Sequence, residues 1–163
     1  MIIRRLAPED AEIWRKIRLE GLQKEPDKFL TQYDDVAELP LSKLAAQLAT
    51  SSTFVATDGD DPVASIGFFV DQRLGVQHKA TIFAVYIRAS YRGTGLADQL
   101  MQAVLDNVPD SVLQVHLHCA TDNLRGVAFY QRHGFEICGT IPRDVLVNGV
   151  ASDTYIMVRR LDT

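Results

Sequence analysis

Cysteine is scarce in this sequence, positive charge is not in excess, and no apolar run is long. The two cysteines, Cys119 and Cys138, form no Cys-x-x-Cys pair, so neither a disulfide framework nor a structural zinc site is expected. The longest apolar stretch, Val63–Val70, is far shorter than the ~20 residues that span a bilayer. The opening residues contain no apolar segment of signal-peptide length. These absences predict a cytoplasmic protein with free thiols and no membrane partner.

The balance of charge limits the classes of partner. The chain has 17 Lys and Arg residues against 21 Asp and Glu residues, and its formal net charge is −4. Binding to nucleic acid is therefore disfavoured, because contacts with phosphate groups need a basic surface. Apolar residues make up 47% of the 163 residues, which is close to the average for globular domains. With no internal repeat or linker, the sequence predicts one domain over residues 1–163.

Strand and helix patterns follow one another in a mixed order. Helices are predicted before Pro26, over Leu41–Ala49, after Gly95 and over Asn123–His133. Strands are predicted at the opening and around the turn Asp58–Pro62, and four later β-rich runs are His78–Ile87, Ser111–Cys119, Phe135–Thr140 and Thr154–Leu161. This order predicts the α/β or α+β class, with a mixed sheet that carries helices on both faces.

A glycine-containing turn joins a predicted strand to a predicted helix. The strand ends Val85-Tyr86-Ile87, and the turn reads Arg92-Gly93-Thr94-Gly95-Leu96-Ala97. Glycines let a backbone approach a ligand closely, and a helix N-terminus attracts anions, so this segment is suited to a pyrophosphate. The alternative is a plain turn that merely needs glycine. A dinucleotide fingerprint is set aside because Asp98 stands where a third small residue is needed, and a P-loop because no Gly-Lys-Ser/Thr follows.

A second pattern lies on the helix predicted near Asn123. Asn123, Val127 and Tyr130 share one helix face. Gly126 lies inside the same helix, where glycine costs ~1 kcal/mol relative to alanine, so it indicates a close approach by backbone or ligand. The alternative is that Asn123 only caps the helix and that Tyr130 is a half-buried packing residue.

The two segments together resemble the acyl-CoA-binding core of the GNAT superfamily, the Gcn5-related N-acetyltransferases. Residues Arg92–Ala97 match the family's Arg/Gln-x-x-Gly-x-Gly/Ala signature, and Asn123, Tyr130 and Gly134-Phe135 match its second signature in order and spacing. The resemblance is specific over Lys79–Phe135. It implies a seven-stranded, mostly antiparallel mixed sheet that splays at its fourth and fifth strands. It also implies N-acetyl transfer from acetyl-CoA, as co-substrate and with no metal, to the primary amine of a small molecule or peptide.

The resemblance also implies roles for individual residues. The cofactor-binding residues would be those of the strand end, the turn and the second helix face: Val85, Tyr86, Ile87, Arg92, Gly93, Thr94, Gly95, Leu96, Ala97, Asn123 and Tyr130. A fourth-strand N–H would stabilise the oxyanion, and Tyr130 would protonate the leaving thiolate during direct transfer in a ternary complex. Three arginines, Arg88, Arg125 and Arg132, flank this site, and one of them would meet the 3′-phosphate because arginine suits bidentate phosphate contact; solvated surface arginines are the alternative.

The general base is where the sequence departs from the family. Many members carry a Glu on the fourth strand, and His78–Ile87 contains no carboxylate. Some relatives place a Glu five residues before the motif Asn, where this chain has His118, and histidine titrates near ~6.5. We therefore predict Tyr130 and His118 as the catalytic residues, with water or another group as the alternative base. His116 lies on the same strand face as His118. The alternative interpretations are that both histidines are structural, or that they form a His-x-His metal site, for which no carboxylate partner is evident.

Other functions stay open on the sequence alone. A non-catalytic acyl-CoA-binding regulatory module is favoured by the missing fourth-strand carboxylate and disfavoured by Tyr130. A nucleotide-binding domain of another kind would bind ATP or NAD better than CoA. The identity of the amine, the preferred acyl chain and assembly into a homodimer are also open.

Overall fold

The computed structural model describes all 163 residues. Its strands are β1 Ile2–Arg5, β2 Ser52–Asp58, β3 Asp61–Val70, β4 Lys79–Ile87, β5 Gln114–Ala120, β6 Glu136–Val147 and β7 Val150–Arg160. Its α-helices are α1 Ala11–Lys24, α2 Tyr33–Ala37, α3 Leu41–Thr50, α4 Leu96–Asn107 and α5 Leu124–Arg132. Short 3-10 turns lie at Pro8–Asp10, Pro26–Lys28, Leu74–Val76 and Ala89–Tyr91. None of the helices combines the length and the apolar character needed to cross a membrane.

The strands form one sheet in the order β1-β2-β3-β4-β5-β7-β6. β4 and β5 run parallel, whereas β1–β2, β2–β3, β5–β7 and β6–β7 are antiparallel pairs. The prediction of a seven-stranded mixed sheet is thereby confirmed. The parallel pairing is short, since it joins residues 79–81 of β4 to residues 114–116 of β5.

The chain divides into two compact units, and the division falls inside β4 directly after the parallel pairing. The first unit contains Met1–Lys24, Thr31–Phe69 and Ile82–Pro109. The second contains Glu25–Leu30, Val70–Thr81 and Asp110–Thr163. Both units are therefore built from segments that are distant in sequence. That residues 1–163 form a single domain remains a prediction from the sequence.

Helix α1 shows how the first unit buries its apolar face. Trp14, Ile17 and Gly21 recur at helical spacing and are buried, as the sequence predicted. The Trp14 ring meets the Phe83 ring of β4 edge to face, with 6.4 Å between the centroids. A Cβ atom at Gly21 would lie 3.0 Å from Cγ of Tyr86, so glycine at this position lets α1 pack directly on β4. The helix therefore fixes the side of β4 that carries Tyr86.

The β6–β7 hairpin of the second unit corrects the sequence analysis. The strand predicted over Phe135–Thr140 continues to Val147, and β7 begins at Val150 rather than at Thr154. The turn between them is Asn148-Gly149, with φ of +51° and +78°. Positive φ at both central residues is the pattern of a type I′ turn, the preferred connection for such hairpins.

Pro142 lies inside the observed strand and beyond its predicted end. Proline cannot donate to a strand ladder, so it argues against a continuous strand. The structure accommodates it in a bulge, because the β6–β7 register shifts between Ile141, which faces Thr154, and Val145, which faces Ser152. A bulge of this kind bends the strand and redirects the side chains within it.

Candidate functional site

The turn before α4 is open on its outer side. Gly93 and Gly95 adopt φ of +76° and +85°, which only glycine takes readily, and a Cβ atom on either would meet nothing within 4 Å. Gly95 is the N-cap of α4 and has no side chain with which to cap the helix. The first internal bond runs from the Gln99 N–H to the Gly95 oxygen, so the N–H groups of Leu96 and Ala97 precede it. This arrangement suits an anionic ligand.

Side chains of the turn fasten it to neighbouring backbone. Arg92 Nε donates to the Ile87 oxygen at 3.0 Å, and Thr94 Oγ1 donates to the Tyr91 oxygen at 2.6 Å. Tyr91 in turn donates its hydroxyl proton to Asp58 at 2.6 Å. The side chains of Arg92 and Thr94 therefore serve the shape of the turn, while its glycines are exposed.

Strand β4 is strained where the predicted cofactor segment begins. Ala84 has φ of +54°, a left-handed conformation that costs a residue other than glycine ~1–3 kcal/mol. The buried hydroxyl of Ser65 donates to the Ala84 oxygen at 2.8 Å and holds this conformation. Val85 and Ile87 then lie half-buried and Tyr86 buried. Nothing in the sequence signals this feature, because it arises from a contact with β3.

Arg88 lies just beyond β4 and is held by acidic side chains. Its guanidinium donates to Glu20 Oε1 at 2.7 Å, to Asp61 Oδ2 at 2.6 Å and to the Pro62 oxygen at 3.1 Å. These carboxylates raise the pKa of Arg88 above its usual range. Arg88 and then Lys16 lower the pKa of Asp61 to about 2. The donors of Arg88 are thus engaged in the protein, which argues against Arg88 as the ligand of a 3′-phosphate.

In the second unit, Asn123 begins helix α5. Its Oδ1 accepts the Gly126 N–H at 3.1 Å, and its Nδ2 lies 3.8 Å from the sulfur of Cys119. A Cβ atom at Gly126 would overlap Nδ2 of Asn123. The close approach that Gly126 indicated is therefore that of the Asn123 side chain. Burial raises the pKa of Cys119 to about 11, so this thiol stays protonated at neutral pH.

Tyr130 lies on the same helix and is buried, with 7% of its surface exposed. Its ring meets the rings of Phe129 and Phe135 edge to face, with centroids 5.3 and 5.9 Å apart. Burial raises the pKa of Tyr130 well above its usual value. The hydroxyl is consequently a proton donor over the whole neutral range.

His116 and His118 share one face of β5 but differ in surroundings. His118 is exposed, and its Nδ1 lies 3.8 Å from Asp144 Oδ2 of β6. Nε2 of His116 is buried without a hydrogen-bond partner, and burial and then Lys79 lower the pKa of His116. The sequence analysis found no carboxylate near His118; the structure supplies Asp144. No three His, Cys, Asp or Glu side chains form a group that could hold a metal ion.

The sequence profile described as "Acetyltransferase (GNAT) family" matches residues 12–135. The chain belongs to the GNAT family of acetyltransferases. It is accordingly an enzyme of the acyltransferase class. The curated L-amino acid N-acetyltransferase AaaT of Escherichia coli K12 is 29% identical to this chain over 119 residues, which cover 72% of each protein. The chain spans about half the length of other curated relatives that it matches.

Solved GNAT structures share this fold along the whole chain. The crystal structure of a GNAT acetyltransferase from Streptococcus pneumoniae has a TM-score of 0.86 at 24% identity, and the match covers 98% of this chain and 99% of that one. The Salmonella typhimurium protein yncA, solved with its cofactor acetyl-CoA, has a TM-score of 0.79 at 17% identity, covering 100% of this chain and 95% of that one. At sequence identities below 25%, this similarity shows a shared fold and nothing more specific.

Proposed function

We propose that this GNAT protein transfers an acetyl group from acetyl-CoA directly to a primary amine within a ternary complex. The observation that carries the proposal is the N-terminus of α4, where Gly93 and Gly95 are left-handed and have open space beside them. In a member of the GNAT family, such a turn is suited to the pyrophosphate of CoA. The bound acetyl-CoA supplies an activated acetyl thioester.

The residues proposed to hold acetyl-CoA differ in what they offer. Of the turn residues Arg92–Ala97, those from Gly93 onward offer backbone N–H groups, because the Arg92 N–H already donates to the Ala89 oxygen and the side chains of Arg92 and Thr94 bond to nearby carbonyl oxygens. Residues Val85–Ile87 offer the backbone that follows the strained Ala84. Asn123 offers an amide that also caps α5.

Tyr130 is the proposed acid. Because burial raises its pKa, the hydroxyl carries its proton throughout the neutral range and can offer it to the sulfur atom as a hydrogen bond when the C–S bond breaks. The buried thiol of Cys119, with its pKa raised to about 11, is a poor nucleophile at neutral pH. This supports direct attack by the amine over an acyl-cysteine intermediate.

His118 is the proposed base. In the reaction that we propose, the amine nitrogen forms the C–N bond and the electron pair of the C–S bond goes to sulfur. Nε2 of His118 takes the proton that the amine loses, and Tyr130 gives a proton to sulfur. His118 suits this role because it is exposed on β5, whereas Nε2 of His116 is buried.

The amine acceptor is proposed to be a small molecule or peptide, with an L-amino acid as the first to test. The E. coli relative is named for L-amino acids. The α-amine of a peptide N-terminus has a pKa of ~7.7–8.0, so a histidine can deprotonate it more easily than a lysine-like amine near ~10.4.

The test is release of free thiol from acetyl-CoA in the presence of L-amino acids, free peptide N-termini or polyamines. We expect turnover with at least one α-amine and a loss of activity on the acidic side of the pH profile that His118→Ala abolishes. Tight acetyl-CoA binding without turnover for any amine would instead support the regulatory acyl-CoA-binding module. A failure of millimolar acetyl-CoA to raise the melting temperature would contradict both functions.

A further inference from the structure

The β6 bulge carries a carboxylate toward β5. Between the register pairs Ile141–Thr154 and Val145–Ser152, three residues of β6 lie opposite the single residue Asp153 of β7. The Arg143 N–H donates to Asp153 Oδ1 at 2.8 Å, and Arg143 has φ of +50°. Strain of this kind persists only where the surroundings enforce it, and it concentrates at functional sites.

Asp144 follows this strained residue and has an unused hydrogen-bonding atom. The side chain is 17% exposed, and its Oδ2 is buried without a hydrogen-bond partner. A buried acceptor left without a partner costs ~1–3 kcal/mol. Oδ2 lies 3.8 Å from Nδ1 of His118, too far for a hydrogen bond but within reach of a small side-chain rotation.

The strand order shows that Asp144 and His118 would ordinarily lie too far apart to interact. β7 lies between β5 and β6, and strands two places apart in a flat sheet are separated by ~9.5 Å. His118 faces Ile156, which faces Gly139, and a Cβ atom at Gly139 would meet nothing within 4 Å. The β6 residue in line with His118 is therefore a glycine with open space beside it. Asp144 reaches His118 across β7 from the bulge instead.

We propose that Asp144 is a positioning residue that holds His118 in the Nδ1–H tautomer, which leaves Nε2 as the basic nitrogen. The hydrogen bond at one ring nitrogen decides which nitrogen of a neutral histidine carries the proton. Hydrogen bonds of catalytic groups are often long in the free enzyme and tighten when substrate binds. This inference rests on the proposed function only in giving His118 the role of base.

Other charged or titratable groups lie on β5, on β6 and in the 3-10 turn Pro26–Lys28. His116 is two residues away on β5, and Glu136 of β6 lies in the row of His116 through Val158. Lys28, in the 3-10 turn after α1, acts on Cys119, the residue next to His118. Asp144 differs from these groups because its Oδ2 atom lies 3.8 Å from Nδ1 of His118.

The first test reads the tautomer by nitrogen-15 NMR of the imidazole rings in the full chain, with the His118 signals assigned from His118→Ala. We expect the Nδ1–H form in the wild type, a mixture of tautomers in Asp144→Ala, and recovery of the Nδ1–H form in Asp144→Glu. The control is Glu136→Gln, which removes the same charge from β6 and should leave the tautomer unchanged. Wild type in the Nε2–H form, or Asp144→Ala with the wild-type tautomer, would overturn the inference.

The second test is kinetic and needs an active enzyme. Hydrogen-bonded partners of metal-binding histidines typically contribute ~10- to 100-fold, and we expect Asp144→Ala to lower kcat by a similar factor with little change in KM for acetyl-CoA. In a His118→Ala background, Asp144→Ala should cause no further loss; an equal loss in that background would overturn the inference. Absence of acetyl transfer by the wild type would count against the proposed function, while the tautomer would still decide the role of Asp144.

Discussion

A Cβ atom at Gly126 would overlap the side-chain amide of Asn123, so the glycine inside α5 makes room for the cap that begins the helix. The same amide contacts Cys119 through Nδ2. The position of the Asn123 side chain therefore depends on the lack of a side chain at Gly126 and on the contact with the buried thiol of Cys119. Because Asn123 is also a proposed cofactor ligand, stability and binding can be separated at this site.

Gly126→Ala should displace the Asn123 side chain with little net effect on stability. Loss of the cap costs ~1 kcal/mol, and alanine within a helix gains ~1 kcal/mol over glycine. The free energy of unfolding should therefore change by less than ~1 kcal/mol, while the affinity for acetyl-CoA measured by calorimetry falls. Gly75→Ala, where a Cβ atom would meet nothing within 4 Å, is the control and should keep full affinity. Unchanged affinity in Gly126→Ala would remove Asn123 from the cofactor-binding residues.

Gly95→Ala should abolish most acetyl-CoA binding at a predictable cost in stability. Gly95 has φ of +85°, and a left-handed conformation costs other residues ~1–2 kcal/mol. Gly59→Ala is a matched control, because Gly59 has φ of +61° in the β2–β3 turn and open space around it. Both variants should melt at lower temperature, but only Gly59→Ala should still be stabilised by acetyl-CoA. Equal stabilisation of both variants would mean that the turn does not bind the cofactor.

Tyr130→Phe should lower kcat while leaving the cofactor affinity nearly unchanged. The substitution keeps the ring contacts with Phe129 and Phe135 and removes only the hydroxyl. A general acid contributes ~10²–10⁴-fold, which sets the expected loss. Because burial raises the pKa of Tyr130, the wild type should show no loss of activity from this group up to pH ~10, the ordinary titration range of tyrosine. Full activity in Tyr130→Phe would assign protonation of the thiolate to another group.

Asp61→Asn should flatten the dependence of stability on acid pH. The hydrogen bonds from Arg88 and Lys16 lower the pKa of Asp61 to about 2, below the ~3.9 of an unfolded chain. A lowered pKa stabilises the folded state above pH ~4, and this stabilisation disappears as the pH falls through about 2. Denaturant melts between these limits should lose slope in Asp61→Asn and retain it in Asp60→Asn, the neighbouring carboxylate. Equal slopes in the two variants would exclude the Arg88 contact as a source of pH dependence.

Local signals in the sequence predicted much of the fold, including the glycine-containing turn that precedes α4. The class of the sheet followed from the order of apolar runs, and helix α4 from Gly95 and the periodicity after it. The strand before the Asn148-Gly149 turn was predicted to end at Thr140, whereas it continues to Val147. A local pattern cannot show that a bulge accommodates Pro142 within a longer strand.

The features that the sequence could not predict come from contacts between distant segments. The left-handed Ala84 depends on Ser65, and alanine itself carries no preference for that conformation. Asp144 approaches His118 only because β7 enters between β5 and β6 and the bulge then bends β6. Each depends on register, which is set by tertiary pairing rather than by residue type.

The bulge in β6 also limits self-association through the edge of the sheet. β6 is the outermost strand on its side, and long unpaired edges act as templates for strands of other molecules. At mid-strand, Pro142 has no N–H to offer and the Arg143 N–H is taken by Asp153. A second chain that added to this edge would find two short ladders out of step with each other instead of one continuous ladder. The interruption that directs Asp144 therefore also protects the protein against aggregation.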